Sequence, residues 1–142
     1  MRREQELVQI LRSRDQCLAA VRELAGGLTA TELRSAQVSA EAYDALVEGL
    51  RDESLRVRWW CVQILDHIPD ARACEAIATA LDDPVARVRR NAAHALGCVA
   101  CKPSCQGALP DRVVRQLTAM TESDSNEKVR REAALTLACR PF

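Results

Sequence analysis

The sequence predicts an all-α protein, a right-handed α-solenoid of about four helical hairpins stacked side by side. The main observation is one phrase, Asp-x5-Arg with Val just before the Arg, which occurs three times at intervals of 31 and 41 residues. Self-similarity at a period of 20–50 residues is typical of stacked supersecondary units. Aromatic residues make up only 3% of the chain and no alternating β-branched run occurs, so strands are not expected. The three copies are Asp52–Arg58, Asp83–Arg89 and Asp124–Arg130.

A helix is predicted after each Val-Arg pair. In the first copy Val57, Cys61, Ile64 and Leu65 stand at positions i, i+4, i+7 and i+8, which place them on one helical face. The later copies carry alanines that permit close approach between helices. We expect Asp83 to be an N-cap, with Pro84 in the first turn. These helices are predicted at 57–65, 88–97 and 129–138.

Another helix precedes each of these, with apolar residues at three- and four-residue spacing. Connections of two to six residues make each pair an antiparallel hairpin. The ten extra residues of the second interval enlarge a loop around 101–110 and leave the helices unchanged. The preceding helices are predicted at Ala40–Leu50, Ala71–Leu81 and Pro110–Met120, which gives repeats at 39–69, 70–100 and 110–139.

Residues 1–38 are less regular and are predicted to form a divergent helical pair. Glu6–Arg12 and Gln16–Ala25 have helical patterns, and the second ends at a Gly-Gly pair. Terminal units of a stack are commonly atypical because they cap it. The whole chain is therefore expected to be one continuous domain, with 1–38 as its cap and 39–142 as three repeats.

The segment Leu81–Gly97, which reads LDDPVARVRRNAAHALG, resembles the HEAT repeat. It is most similar to the short form found in phycobilisome-lyase-like HEAT proteins. The resemblance covers residues 40–139 well and 1–38 weakly. It implies that the second helix of each pair lines the concave face of the stack.

Composition excludes several classes of function. The 20 basic and 20 acidic side chains balance, which argues against nucleic-acid binding. No apolar stretch approaches the ~18 residues of a membrane span, and the N-terminus lacks an apolar signal core. The seven cysteines form no secreted-domain framework, so a reducing cytoplasm is expected.

The repeated phrase has two interpretations. Its three arginines could form a row that binds phosphate or carboxylate groups. Alternatively, each Asp–Arg combination could be an ion pair that ties one unit to its neighbour and enforces their register. Repetition in step with the period of the fold favours the ladder of ion pairs.

The tryptophans are candidate anchors for a partner. Trp59 and Trp60 occupy positions that are polar in the other two copies, which indicates exposure. Exposed tryptophan is common among the residues that dominate binding energy. The alternative is that they pack on the N-terminal unit, where Leu18 and Val21 are available, and this suits Trp60 better than Trp59.

The leading hypothesis is a non-enzymatic adaptor that binds a protein segment along the concave groove. Because the groove offers both signs of charge, we expect a mixed-charge amphipathic partner. The adaptor itself would be a monomer or a weak homodimer, without a cofactor. The predicted binding residues are Trp59, Trp60, Gln63, Arg90, Asn91, His94, Arg131 and Glu132.

One helical stripe carries possible metal ligands. His94, Cys98 and Cys101 stand at i, i+4 and i+7, and Cys105 follows in the enlarged loop. Together they could supply four ligands to zinc. The spacing matches no standard zinc motif, so free cysteines with a local Cys101–Cys105 bridge are favoured and no metal is predicted.

No catalytic motif was found, since the chain has only two histidines and lacks a phosphate loop or a nucleophile elbow. An alternative role follows from the resemblance to phycobilisome-lyase-like proteins. It is accessory handling or attachment of a tetrapyrrole (bilin), which would need tryptophan stacking and a reactive thiol, Cys98 or Cys101.

Overall fold

A computed structural model describes residues 40–66, 71–97 and 109–139 and shows six helices in three hairpins. A short 3-10 turn, Ala80–Asp82, extends the third helix. These residues contain no strand, and none of their helices is long and apolar enough to cross a membrane. The helices are α1 (Ala40–Gly49), α2 (Leu55–Asp66), α3 (Ala71–Thr79), α4 (Ala86–Gly97), α5 (Asp111–Ser123) and α6 (Glu127–Cys139).

The second helices of the three hairpins form a row. α4 packs against α2 on one side and against α6 on the other, and each also packs against the first helix of its own hairpin. This arrangement confirms the predicted all-α solenoid and places equivalent residues of successive units side by side.

The first helices α1, α3 and α5 contact one another less and are joined by side chains. The Tyr43 hydroxyl donates to the backbone carbonyl of Arg72 at 2.8 Å, and the Arg72 guanidinium lies 4.6 Å from the centre of the Tyr43 ring. Glu75 on α3 forms an ion pair with Arg112 on α5. Between neighbouring hairpins, the closest backbone packing is therefore that of the second helices.

The valine of each repeated phrase enters the core. Val57, Val88 and Val129 are all buried, in one core cluster with leucines of the first helices, such as Leu46, and of the second helices, such as Leu96. Burial of one such side chain contributes roughly 1.5–3 kcal/mol. The repeated valine therefore has a packing role, while the arginine after it lies at the rim of the core.

Helix α4 begins two residues before the predicted range of 88–97, but not directly after Asp83 as the N-cap assignment required. Its first intrahelical bond runs from the Arg89 amide to the Val85 carbonyl, and the helix starts at Ala86. Asp83 is not the N-cap. Its carboxylate accepts the Val85 amide at 2.9 Å and so closes a turn just before the helix. Asn126 is the residue that caps a helix, with its Oδ1 accepting the Lys128 amide at 2.9 Å.

The predicted cap at residues 1–38 and most of the enlarged loop lie outside the described residues. The division into repeats at 39–69, 70–100 and 110–139 therefore remains a prediction at those boundaries.

A candidate binding groove across the second helices

The repeated phrase forms an ion-pair ladder between successive units. Arg58 donates from Nε to Asp83 Oδ2 at 2.7 Å and from Nη2 to Oδ1 at 3.3 Å. Arg89 holds Asp124 in the same way, at 2.9 and 3.0 Å. Such bidentate arginine–carboxylate pairs fix the relative orientation of the two side chains and also contribute binding energy. The ladder interpretation is confirmed for both pairs, and the arginines are not a free row.

The same arginines also hold the loop of their own unit. Nη1 of Arg89 donates to the Asp83 carbonyl at 2.9 Å. The equivalent bonds in the other two copies measure 2.8 and 2.6 Å. Each arginine thus uses Nη1 to fix the turn before its helix. In the first two copies it also uses Nε and Nη2 to bind the aspartate of the next unit.

Beside this ladder lies a groove of about 280 Å³ at the crossing of α2, α4 and α6, here called the central groove. α2 supplies one residue, α4 supplies four and α6 supplies one. Five of these six were predicted to bind a partner. The lining residues are Trp59, Arg87, Arg90, Asn91, His94 and Glu132.

Trp59 forms one wall of the groove. Its ring packs partly against the core and meets the Trp60 ring edge to face, with centres 4.9 Å apart and an interplanar angle of 87°. The Arg87 guanidinium lies 6.0 Å from the Trp59 ring centre, at the limit of a cation–π contact. Both tryptophans are half-buried, whereas their polar counterparts had indicated exposure.

Glu132 connects α6 to α4 across the groove. Its Oε1 lies 2.9 Å from Nδ1 of His94, and its Oε2 lies 3.8 Å from Nε of Arg90. The Glu132 side chain is largely buried, while those of Arg90 and His94 are 53% and 59% exposed. The carboxylate that Glu132 brings to the described lining is therefore already engaged, whereas the Arg90 and His94 side chains remain accessible to solvent.

Asn91 has a structural role that the sequence did not indicate. It is buried rather than exposed, and its Nδ2 donates to the backbone carbonyl of Trp59 at 3.1 Å. This bond ties α4 to α2 directly beneath the tryptophan. Asn91 thus positions the wall of the groove.

Three predicted residues do not line the groove. Trp60 packs against the core and against Trp59, Gln63 is half-buried elsewhere on α2, and Arg131 pairs with Glu127 at 3.4 Å on the exposed side of α6. Arg87 was missed. Its spacing, three before Arg90 and four before Asn91, would have identified it, because residues so spaced share a helical face.

The predicted metal ligands are only partly described. Cys98, Cys101 and Cys105 lie outside the described residues, and His94 pairs with Glu132. Among residues 40–66, 71–97 and 109–139 no cluster of ligands suits a metal ion. Cys61 and Cys74 are buried and form no disulfide, and Cys139 is exposed.

Comparison with known families identifies HEAT repeats over residues 4–97. This match includes the N-terminal segment, where we expected only a weak resemblance, and it ends just before the enlarged loop. It bears on HEAT repeats in general, and the narrower lyase-like form remains a prediction. No curated protein matches the chain.

Among solved structures, one described as the crystal structure of an engineered protein superimposes with a TM-score of 0.65 at 22% identity. The match covers 97% of this chain and 62% of the other, so the chain spans less than two thirds of that structure. At this identity the likeness shows the fold alone.

Proposed function

The chain belongs to the HEAT repeat family, and from that premise we propose that it is a non-enzymatic adaptor whose central groove binds an extended or helical segment of another protein. The observation that carries the proposal is a tryptophan wall facing exposed basic side chains where three stacked helices meet. The lining residues that the structure describes include no hydroxyl, thiol or amine nucleophile beside the His–Glu pair, which favours binding over catalysis.

The charges of the groove define the partner. Arg87 and Arg90 contribute two positive charges, whereas Glu132, the acidic residue of the described lining, already contacts Arg90 and His94. A ligand therefore meets open N–H donors and few open acceptors. This favours a segment rich in carboxylates over the mixed-charge segment expected from the sequence.

The tryptophan supplies the apolar contact. Trp59 is fixed by core packing and by Asn91 beneath its backbone, so little side-chain entropy is lost when a ligand packs on it. Such a preorganised aromatic residue can act as a binding hot spot. The proposed ligand thus carries an apolar side chain flanked by aspartate or glutamate.

Selection from a random dodecapeptide library displayed on phage tests this proposal. We expect enriched peptides that combine acidic residues with an apolar residue, and we expect Trp59→Ala to weaken their affinity by roughly 30-fold, the scale of a hot-spot residue. Isothermal titration of the selected peptides measures the change, and circular dichroism verifies that the variant keeps its helicity.

Leu55→Ala is the matched control, because Leu55 is an apolar residue of α2 that is 36% exposed and outside the groove lining. It should leave the affinity unchanged, whereas Arg90→Ala should weaken binding and reduce its salt dependence. Unchanged affinity in both Trp59→Ala and Arg90→Ala would show that the selected peptides bind elsewhere and would refute the proposal.

A further inference from the structure

Among the residues that the structure describes, the ladder lacks a carboxylate at Arg130. Arg58 and Arg89 both use Nε and Nη2 to hold an aspartate of the following unit. Arg130 makes the loop bond, from Nη1 to the Asp124 carbonyl at 2.6 Å, and so has the same anchorage. Among the described residues, its Nε and Nη2 have no acceptor. Arg130 is therefore held in place as a bidentate donor, and no described carboxylate pairs with it.

The helix face around Arg130 corresponds to a face that is buried in the preceding unit. On α4, the Ala93 carbonyl accepts the Thr136 hydroxyl of α6 at 2.5 Å, and Gly97 lies against the same threonine. With Arg89, these residues stand at i, i+4 and i+8 and form the surface on which α6 packs.

Adding the repeat interval of 41 residues gives the equivalent positions on α6, which are Arg130, Ala134 and Ala138. Leu135 lies beside them, and we call these four residues the end face. Ala93 is fully buried by α6, whereas Ala134 and Ala138 are exposed and Leu135 is 52% exposed. In the described residues the end face thus has the composition of a stacking surface without a helix on it.

We propose that the end face binds a helix of another protein that is preceded by an aspartate-containing turn, of the kind that Asp83 and Asp124 form in this chain. The aspartate would accept Nε and Nη2 of Arg130, and the helix would pack on Ala134, Leu135 and Ala138. The interaction is separate from the central groove and does not depend on it.

The distribution of charge favours a different protein as the partner over a symmetric dimer in which the end faces of two copies pack together. Two end faces in contact would bring Arg130 of each copy toward the other α6. The carboxylates of α6 are Glu127, paired with Arg131, and Glu132, paired with His94, and the second half of the helix has none. The partner must therefore supply the carboxylate.

A peptide of residues 109–139 is a suitable probe, because it contains the Asp124 turn and the helix that packs on α4. Added to the isotope-labelled full chain, it should bind saturably and shift the NMR signals of Arg130 Nε–H, Ala134, Leu135 and Ala138. The peptide can be disordered when free, since contact with the end face would order it.

Two substitutions should weaken binding about ten-fold or more: Asp124→Asn in the peptide and Arg130→Gln in the full chain, each of which removes one side of the ion pair. Together they should cost little more than either alone, because both remove the same contact. Arg131→Gln in the full chain is the matched control and should leave the affinity unchanged.

Several results would overturn the proposal. They are the absence of saturable binding, equal affinity of the wild-type and Asp124→Asn peptides for the full chain, or NMR signal changes confined to the central groove. Self-association of the chain that Leu135→Asp abolishes and Arg130→Gln leaves intact would assign the end face to a second copy instead.

Discussion

At the scale of single residues, the repeated phrase is accounted for by three bonds. The aspartate carboxylate accepts an amide two residues later, as Asp124 does from Asn126 at 2.9 Å, and also accepts the arginine of the preceding unit. The arginine Nη1 donates to the backbone carbonyl of the aspartate in its own copy of the phrase. The sequence predicted the pairing between units because the phrase recurs with the period of the fold. The loop bonds were not predictable, since their acceptors are backbone atoms without a residue signature.

Asp124 makes the ladder sensitive to acid. Burial acts to raise the pKa of its carboxyl, but the hydrogen bonds from Arg89 and the Asn126 amide, together with the charges of Arg89 and Arg130, outweigh it and hold the pKa below its ordinary value of 3.8. The folded protein therefore binds fewer protons here than the unfolded chain does. The resulting stabilisation is complete above pH 3.8 and is lost as pH falls through the lowered pKa.

We expect Asp124→Asn to reduce the free energy of unfolding at neutral pH and to make its decline below pH 3.8 shallower than in the wild type, because the variant has no carboxyl to protonate at this site. Urea unfolding across the acidic range measures both effects. Glu122→Gln, at an exposed position in the last turn of α5, is the control and should keep the wild-type slope. Parallel curves for wild type and Asp124→Asn would disprove the acid linkage.

At the scale of helices, close packing depends on two glycines. A β-carbon at Gly97 would lie 2.9 Å from the Thr136 hydroxyl and 3.2 Å from its Cα, closer than packing between α4 and α6 permits. A β-carbon at Gly49 would meet the buried Cys61 Sγ on α2. The glycines allow these helices to approach, although glycine lowers helix propensity by ~1 kcal/mol relative to alanine.

Gly49→Ala should therefore destabilise the protein by about 1–3 kcal/mol, although helix propensity alone predicts a gain. In the background of Cys61→Ala, which removes the sulfur, the same substitution should cost much less. Thermal and urea unfolding of the four variants in this cycle measure the coupling between the two sites. Equal costs in both backgrounds would mean that Sγ is not the obstacle.

The sequence predicted where helices lie better than where they begin. Periodicity placed all three second helices, because burial of one face imposes the 3.6-residue spacing. Asp83 was wrongly assigned as an N-cap because the same residue type also closes turns just before a helix. The Asp83 carboxylate instead pairs with Arg58 of the preceding unit. That pairing depends on the neighbouring unit, so the residues next to Asp83 in the sequence do not indicate it.

At the scale of the whole molecule, the repeat register predicted that residues of α2 and α4 would share one surface, and five predicted residues do line the central groove. It did not predict the contact between His94 and Glu132. The register places Leu135 opposite His94, and Glu132 lies about one turn earlier. The stagger between neighbouring helices depends on packing, which a one-dimensional alignment does not contain.

The stack should also be unequally stable along its length. α4 packs between two other second helices, α2 and α6, whereas α6 packs against only one described second helix, α4. In a linear stack, stability depends on contacts with nearest neighbours. We therefore expect amide exchange at Ala92 and Leu96 of α4 to be slower than at Ala133 and Thr136 of α6, as measured by NMR. Equal protection at all four amides would instead indicate a single cooperative unfolding unit.

The unequal contact between the two helical rows has a mechanical consequence. Backbones lie close together along the α2–α4–α6 edge, whereas side chains span the wider spacing along the α1–α3–α5 edge. The first edge resists stretching, and the second can lengthen by rotation of flexible side chains. Elastic bending would then occur about the stiff edge, and it would change the curvature of the stack while the ladder keeps its register.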